Sequence, residues 1–306
     1  MHANLHISAI TRGTGRNAAA ASAYRSGSSV VACAAYRACE KLNDQRYDKT
    51  HDYTKKHNVL HAEIVTPDGA PEWMKDRGSL WNGVEAGEKR KDAQLAKEVV
   101  LVLPRNLDHE QHKEVVRGWI ADNITKRGLV ADFAIHEPDA SDGGKNPHAH
   151  VMFTLRPVEG EGFGKKLTGY KDGGLDGREV LEEMRFSYEN HINIASATND
   201  NNQVVFDLRS YREKGIDREP QKKIGAKVNY LEKRGYVTEW GKECRKQTHQ
   251  NNNKPYQKYI GSYHLIGNGG KNSSNFLESV RADIAEKYYE TMYGEDYGVE
   301  EWNEGR

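Results

Sequence analysis

Two histidines stand one residue apart in the stretch Asn146-Pro147-His148-Ala149-His150, which runs on as Val151-Met152-Phe153-Thr154-Leu155. The flanking residues predict a strand. Side chains alternate across a strand, so His148 and His150 share one face while Ala149 turns into the core. A third histidine, His136, ends a second predicted strand, Val130 to Ile135, and the polar loop from Glu137 to Lys145 returns the chain. That hairpin brings His136 beside the other two. Three neutral imidazoles on one face suit a single divalent metal ion. By itself a His-X-His pair is a weak motif, and more often such a pair is simply polar side chains on a solvated strand face. The hairpin partner is what turns the pair into a metal-site expectation. Two tyrosines, Tyr24 and Tyr36, add a candidate nucleophile, and histidines with tyrosine suggest metal-assisted cutting of nucleic acid.

The elements that must position these groups follow from pattern. Leu5 to Ile10 predicts a first strand, and an alanine-rich helix is expected from Asn17 to Leu42, built from strong helix formers. It contains a repeat: Gly15 to Gly27 recurs twelve residues later as Gly27 to Cys39, each copy carrying Ala-Tyr-Arg. Gly27-Ser28-Ser29 offers a break between the copies, with a serine as new N-cap. Asn58 to Thr66 predicts a strand, Arg77 to Arg90 a helix, and Leu95 to Leu103 a buried strand closing at Pro104. Asp108 to Arg127 predicts a helix stopped by Gly128. Further helices are expected over Val180 to Ile194 and Lys223 to Arg234, with a loop from Gly160 to Gly177. The fold class is α+β: a central, mainly antiparallel sheet with flanking helices. The expected domains are 1–246, compact, and 247–306, a linker from Gln247 to Tyr259 followed by an acidic helical tail.

Composition sets the surroundings. In 306 residues, 36% are hydrophobic and 29% charged, which fits a polar globular protein with a real core. No apolar run approaches the ~20 residues of a membrane-spanning helix, and the N-terminus lacks a secretory plan. Cys33, Cys39 and Cys244 show neither zinc spacing nor a disulfide framework, so the expected location is the cytoplasm. Net charge is zero, yet Asn201 to Ile260 holds 14 Lys and Arg against 7 Asp and Glu. Local basic surface of this kind neutralises phosphates.

Six motifs in order carry a family resemblance: Gly15-Arg16 with Ala23-Tyr24-Arg25, His51-Asp52-Tyr53-Thr54-Lys55-Lys56, Lys91 to Glu98, Asn146 to His150, Thr154-Leu155-Arg156-Pro157, and Arg209-Ser210-Tyr211 with Gly215 to Pro220. In these the chain resembles the MobA/MobL-type plasmid relaxases, which belong to the HUH single-strand endonucleases. The resemblance implies an HUH relaxase-like palm and a tyrosine that attacks one phosphodiester of single-stranded DNA at a plasmid's transfer origin. The products would be a 5′-phosphotyrosine link and a free 3′-hydroxyl, and the step can be reversed to rejoin the ends. It also implies a divalent ion, magnesium or manganese, with other divalent ions able to occupy the purified site. His136, His148 and His150 would be its ligands. The implied partners are accessory mobilisation proteins and a type IV secretion coupling protein, with no membrane insertion. A rolling-circle initiator or transposase of the same class, and a DNA-binding accessory protein without catalysis, are the alternatives. No Gly-x-x-x-x-Gly-Lys-Ser/Thr loop occurs, so the expectation is a nicking-only chain or a piece of a longer one.

Glu98 sits among apolar strand residues, where a carboxylate needs a partner. It reads either as a buried ion-pair member or as a group that orients a metal-binding imidazole or takes the tyrosine proton. For the nucleophile, the sequence before Tyr24 matches the family's lead-in, and the sequence after Tyr36 matches its continuation. On an unbroken helix twelve residues advance the chain by ~18 Å, so one site could not hold both rings. By resemblance strand one lies at the sheet centre, which favours Tyr24, with Tyr36 the alternative. Arg12, Arg16, Arg25, Lys55, Lys56, Lys165 and Lys166 are the expected DNA contacts, with Tyr53, Tyr170 and Tyr211 as stacking rings. The family often has an aromatic-His pair early in strand one, and here those positions read Ala3-Asn4, with His2 and His6 nearby but out of register.

Overall fold

The computed structural model describes residues 4–12, 29–57, 59–140, 143–167, 175, 177–197, 206–212, 214–216, 219, 222, 224–232 and 234–253. Its strands are β1 (Asn4–Thr11), β2 (Lys41–Asp44), β3 (Lys49–Asp52), β4 (Val59–Val65), β5 (Gln94–Val102), β6 (Ala131–His136), β7 (His148–Phe153), β8 (Val158–Glu159) and β9 (Gly162–Phe163). Its helices are α1 (Val30–Ala38), α2 (Arg77–Gly87), α3 (His109–Asn123), α4 (Arg178–Ala197), α5 (Ala226–Glu232) and α6 (Glu239–Asn253). The described residues divide into two compact units, Met1–Leu208 and Arg209–Arg306. The expected boundary after Lys246 falls within α6. No described helix is long and apolar enough to cross a membrane.

The first unit is built on one five-stranded sheet, in the order β1-β5-β7-β6-β4, with every neighbouring pair antiparallel. The α+β expectation, an antiparallel sheet flanked by helices, holds. On one face Leu5, Val99, Leu101, Ala149, Val151, Phe133 and Ile135 pack with Trp119 and Ile120 of α3 and Met184 and Tyr188 of α4. Two buried polar tips are satisfied there: Trp119 Nε1 donates to the Met184 carbonyl at 3.0 Å, and the Tyr188 hydroxyl to the Val102 carbonyl at 2.8 Å. On the opposite face Val30 and Ala34 of α1 and Leu80 and Trp81 of α2 close a second core with Met152. The histidine end of that face is not covered by this core.

Four expectations are corrected. Strand one is an edge strand and β7 is central, because β5 inserts between them. The helix expected to reach Leu42 ends at Cys39, which adopts a left-handed conformation (φ 55°), and Lys41–Asp44 pairs with Lys49–Asp52 as a hairpin. The linker expected from Gln247 is helical as far as Asn253. Part of the loop expected over Gly160 to Gly177 is a short hairpin of β8 and β9, and 168–174 lie outside the described residues. Of the break expected at Gly27-Ser28-Ser29, the described residues include only the serine N-cap of the second copy. Ser29 caps α1, its hydroxyl oxygen accepting from the Ala32 amide at 3.1 Å while its proton goes to buried Asp44. The first tyrosine repeat, 13–28, lies outside the described residues.

Candidate metal centre

Register places the three histidines together. His136 on β6 pairs with His148 on β7, and His150 pairs with Ala134. The hairpin inferred from the loop at 137–145 therefore brings His136 onto the same face as the other two. Ring centroids lie 5.0–5.5 Å apart, and one nitrogen from each ring falls within 4.8 Å of the others. Among the described residues this is the one group of three such side chains with metal-binding spacing.

Each ring has its other nitrogen committed to an oxygen acceptor. His148 Nδ1 meets the Asn146 carbonyl at 2.8 Å, His150 Nδ1 meets Glu98 Oε1 at 2.7 Å, and His136 Nε2 meets the Arg37 carbonyl at 2.8 Å. A carbonyl or carboxylate oxygen can only accept, so these three nitrogens carry the protons. The lone pairs then reside on His148 Nε2, His150 Nε2 and His136 Nδ1. Oxygen partners of this kind fix tautomer and ring orientation in metal-binding histidines. The donor set fits a divalent ion, and three nitrogens suit manganese or zinc better than magnesium. Burial pushes His136 down to about 4 and His148 below its ordinary value, so both rings remain neutral and able to ligate at neutral pH.

Glu98, on β5, is hydrogen-bonded to both Arg37 and His150. Burial raises its carboxyl pKa, but hydrogen bonds from His150 and Arg37, with the charge of Arg37, outweigh burial and hold it at about 2. The Arg37 guanidinium grips it with two donors, Nε on Oε1 and Nη2 on Oε2, the latter at 2.6 Å. Arg37 is the residue at this centre that the sequence reading did not name, since it reads as the end of a repeated tripeptide.

Tyr36 precedes Arg37 on α1 and is half-buried. Its ring meets Tyr53 edge-on at 5.2 Å, and Lys56 Nζ lies 3.1 Å from its centroid. The β2–β3 hairpin supplies this cage, because the Tyr53 amide donates to the Glu40 carbonyl at 3.1 Å just past α1. Of the expected DNA contacts, Arg12 is corrected: it is 2% exposed, bonded to Glu85 at 2.7 Å and to the carbonyls of Glu85, Glu88 and Arg90, so it clamps α2 and cannot reach solvent. The Lys166 ammonium is held between Glu88 and the Gln94 carbonyl. Lys55 and Lys165 are exposed, as is Lys56 apart from its ring contact. Tyr24, Arg16, Arg25 and Tyr170 lie outside the described residues. Asn4 and His6 fall on the histidine face, opposite Val102 and Val100, two strands from His148 and His150.

A model of the MobA/MobL family matches residues 28–234. The chain belongs to the MobA/MobL family. That match begins at the second tyrosine repeat. Among relatives, the chain is 37% identical over 238 residues to "Conjugal transfer protein TraA" of Rhizobium radiobacter, covering 68% of this chain and 21% of that protein. It is 30% identical over 256 residues to "Mobilization protein MobL" of Acidithiobacillus ferridurans, covering 75% of this chain and 64% of that protein. The chain thus spans about a fifth of the length of the conjugal transfer relative. Among solved structures, one described as "Molecular Basis of Vancomycin Resistance Transfer in Staphylococcus aureus" matches with a TM-score of 0.58 and 26% identity, covering 69% of this chain and all of that one. This MobA/MobL chain therefore shares its fold with a solved relative as well as its motifs with the family.

Proposed function

We propose that this MobA/MobL chain is the DNA-nicking part of a mobilisation relaxase, with Tyr36 the nucleophile and His136, His148 and His150 the ligands of a divalent ion. The observation that carries the reading is the junction at residue 37: the carbonyl that orients His136 belongs to the residue next to Tyr36. The family match, which starts at residue 28 and so includes Tyr36 and not Tyr24, supports the second repeat as the working copy. The N-cap at Ser29 supports it further, because α1, which carries Tyr36, starts there with a cap of its own. The names of the relatives, conjugal transfer and mobilisation proteins, support DNA mobilised by conjugation as the substrate.

A phenol is a weak nucleophile at neutral pH and needs both activation and placement. A bound divalent ion would draw charge from the non-bridging phosphate oxygens and align the phosphorus. The chain's own groups do the rest. Tyr36 Oη would form the new bond to phosphorus as the bond to the 3′-oxygen breaks, and the proton lost by the tyrosine is balanced by the one gained at the 3′-hydroxyl. Glu98, with both oxygens occupied and its carboxyl held at about 2, orients His150 and is a poor base for that proton. Tyr53 and Lys56 confine the Tyr36 ring, which limits its search for the in-line geometry.

The test is incubation with labelled single-stranded transfer-origin oligonucleotide and manganese, then mass spectrometry of the DNA-linked peptide. An adduct on Tyr36 is expected. An adduct on Tyr24 assigns the first repeat instead, and no adduct with an intact metal site removes the nicking reading.

A further inference from the structure

Residue 37 meets the metal centre by two separate routes. Through its side chain it grips Glu98, which accepts from His150 Nδ1. Through its backbone carbonyl it accepts from His136 Nε2. The third guanidinium nitrogen, Nη1, returns to the Cys33 carbonyl at 3.0 Å, one turn back on the same helix. The pair is sheltered, the Arg37 and Glu98 side chains being 12% and 6% exposed. Without the two guanidinium donors the Glu98 carboxylate has nothing else shown among the described residues to fix its plane, and its acceptor geometry toward His150 Nδ1 is no longer set.

We propose that Arg37 is a positioning residue: it ties the helix bearing Tyr36 to two of the three metal-binding imidazoles, so that one residue sets both the tautomers of the ligands and the place of the tyrosine. The part that concerns the tyrosine rests on the nicking function proposed above, and the part that concerns the imidazoles stands on the histidine geometry alone. Lysine cannot replace the guanidinium fully, because one ammonium does not reproduce the planar fork on both carboxylate oxygens.

The experiment compares wild type, Arg37→Gln and Arg37→Lys in three measurements: imidazole 15N–1H correlation spectra of the metal-free protein, manganese affinity by calorimetry, and single-turnover adduct formation at saturating manganese. Wild type should show His150 protonated on Nδ1 and His136 on Nε2. In Arg37→Gln the His150 signal should lose its single Nδ1–H form while His136, whose acceptor is main chain, keeps its own and so reports that α1 has stayed in place. Manganese affinity should fall by about 10–100-fold, adduct formation should slow even when the metal site is filled, and Arg37→Lys should fall between. Unchanged His150 tautomer and unchanged manganese affinity in Arg37→Gln would overturn the proposal. So would a full recovery of both by lysine, since bulk charge and not the fork would then be what matters. If the tautomer and affinity change as expected while wild type makes no tyrosine adduct, the nicking function fails and the positioning of the ligands stands.

Discussion

At the residue scale the site depends on single nitrogen and oxygen atoms, and substitutions there should separate chemistry from folding. His148→Ala or His150→Ala removes one ligand from a half-buried surface position and should reduce nicking to background and weaken manganese binding by at least about tenfold, with the melting profile little changed. Calorimetry and an oligonucleotide gel check both halves. Tyr36→Phe keeps the ring against Tyr53 and should eliminate the covalent adduct, whereas Tyr24→Phe should leave first-strand cleavage near normal. Acid stability gives an independent check. The folded-state pKa of His136, about 4, lies below its ordinary 6.5, so between these values the unfolded chain binds a proton that the folded chain does not. Stability therefore rises with pH across that window and is lost as pH falls from 6.5 toward 4. The carboxyl of Glu98, about 2 against 4.5, extends the loss further down. Denaturant melts of metal-free His136→Asn should fall less steeply than wild type between pH 6.5 and 4. Equal slopes would show that the ring is not held neutral by burial.

At the scale of elements, α1 carries the proposed nucleophile, and its two ends are set by different chemistry. Ser29 satisfies the Ala32 amide at the start, and Ser29→Ala should cost about 1 kcal/mol in denaturant melts by removing the cap and one partner of buried Asp44. Cys39 ends the helix at φ 55°, where a side chain is strained and glycine is not, so Cys39→Gly should be neutral or raise stability by up to about 1 kcal/mol. The sequence made the histidine strands legible because a two-residue period with apolar partners has few other solutions. It made Glu98 legible because a carboxylate inside an apolar strand must have a partner. The β2–β3 hairpin was not legible: Lys41–Asp44 buries only Leu42 and Asp44, and its partner strand is polar throughout, so neither gives a hydrophobic signal. α6 hid for a related reason, since Asn251 to Asn253 are weak helix formers. The choice between tyrosines could not be read from two near-identical repeats. The expected central position of strand one, which favoured Tyr24, is the position β7 holds.

For the whole molecule, the zero net charge hides an uneven distribution that should govern DNA affinity. The second unit contains α6, on which Lys242, Arg245 and Lys246 are all exposed, with Trp240 47% exposed on the same helix and Tyr236 63% exposed just before it. Cations interleaved with aromatic rings suit a single strand, where rings stack on bases and cations displace counterions. Two of the three cations have ion-pair partners, Lys242 with Glu239 and Arg245 with Glu232, both across exposed or partly exposed surface. Such pairs contribute little and can exchange for phosphate. Each phosphate neutralised contributes about −0.7 to the slope of log affinity against log salt for single strands. Replacing all three cations with glutamine should therefore make the slope shallower by up to about 2, with affinity falling most at low salt. Manganese affinity should be unaffected, because the three histidines and the groups that orient them, Glu98 and Arg37, all belong to the first unit. Filter binding of a transfer-origin single strand from low to high salt reads the slope directly. An unchanged slope would mean that these three cations of α6 do not meet the DNA.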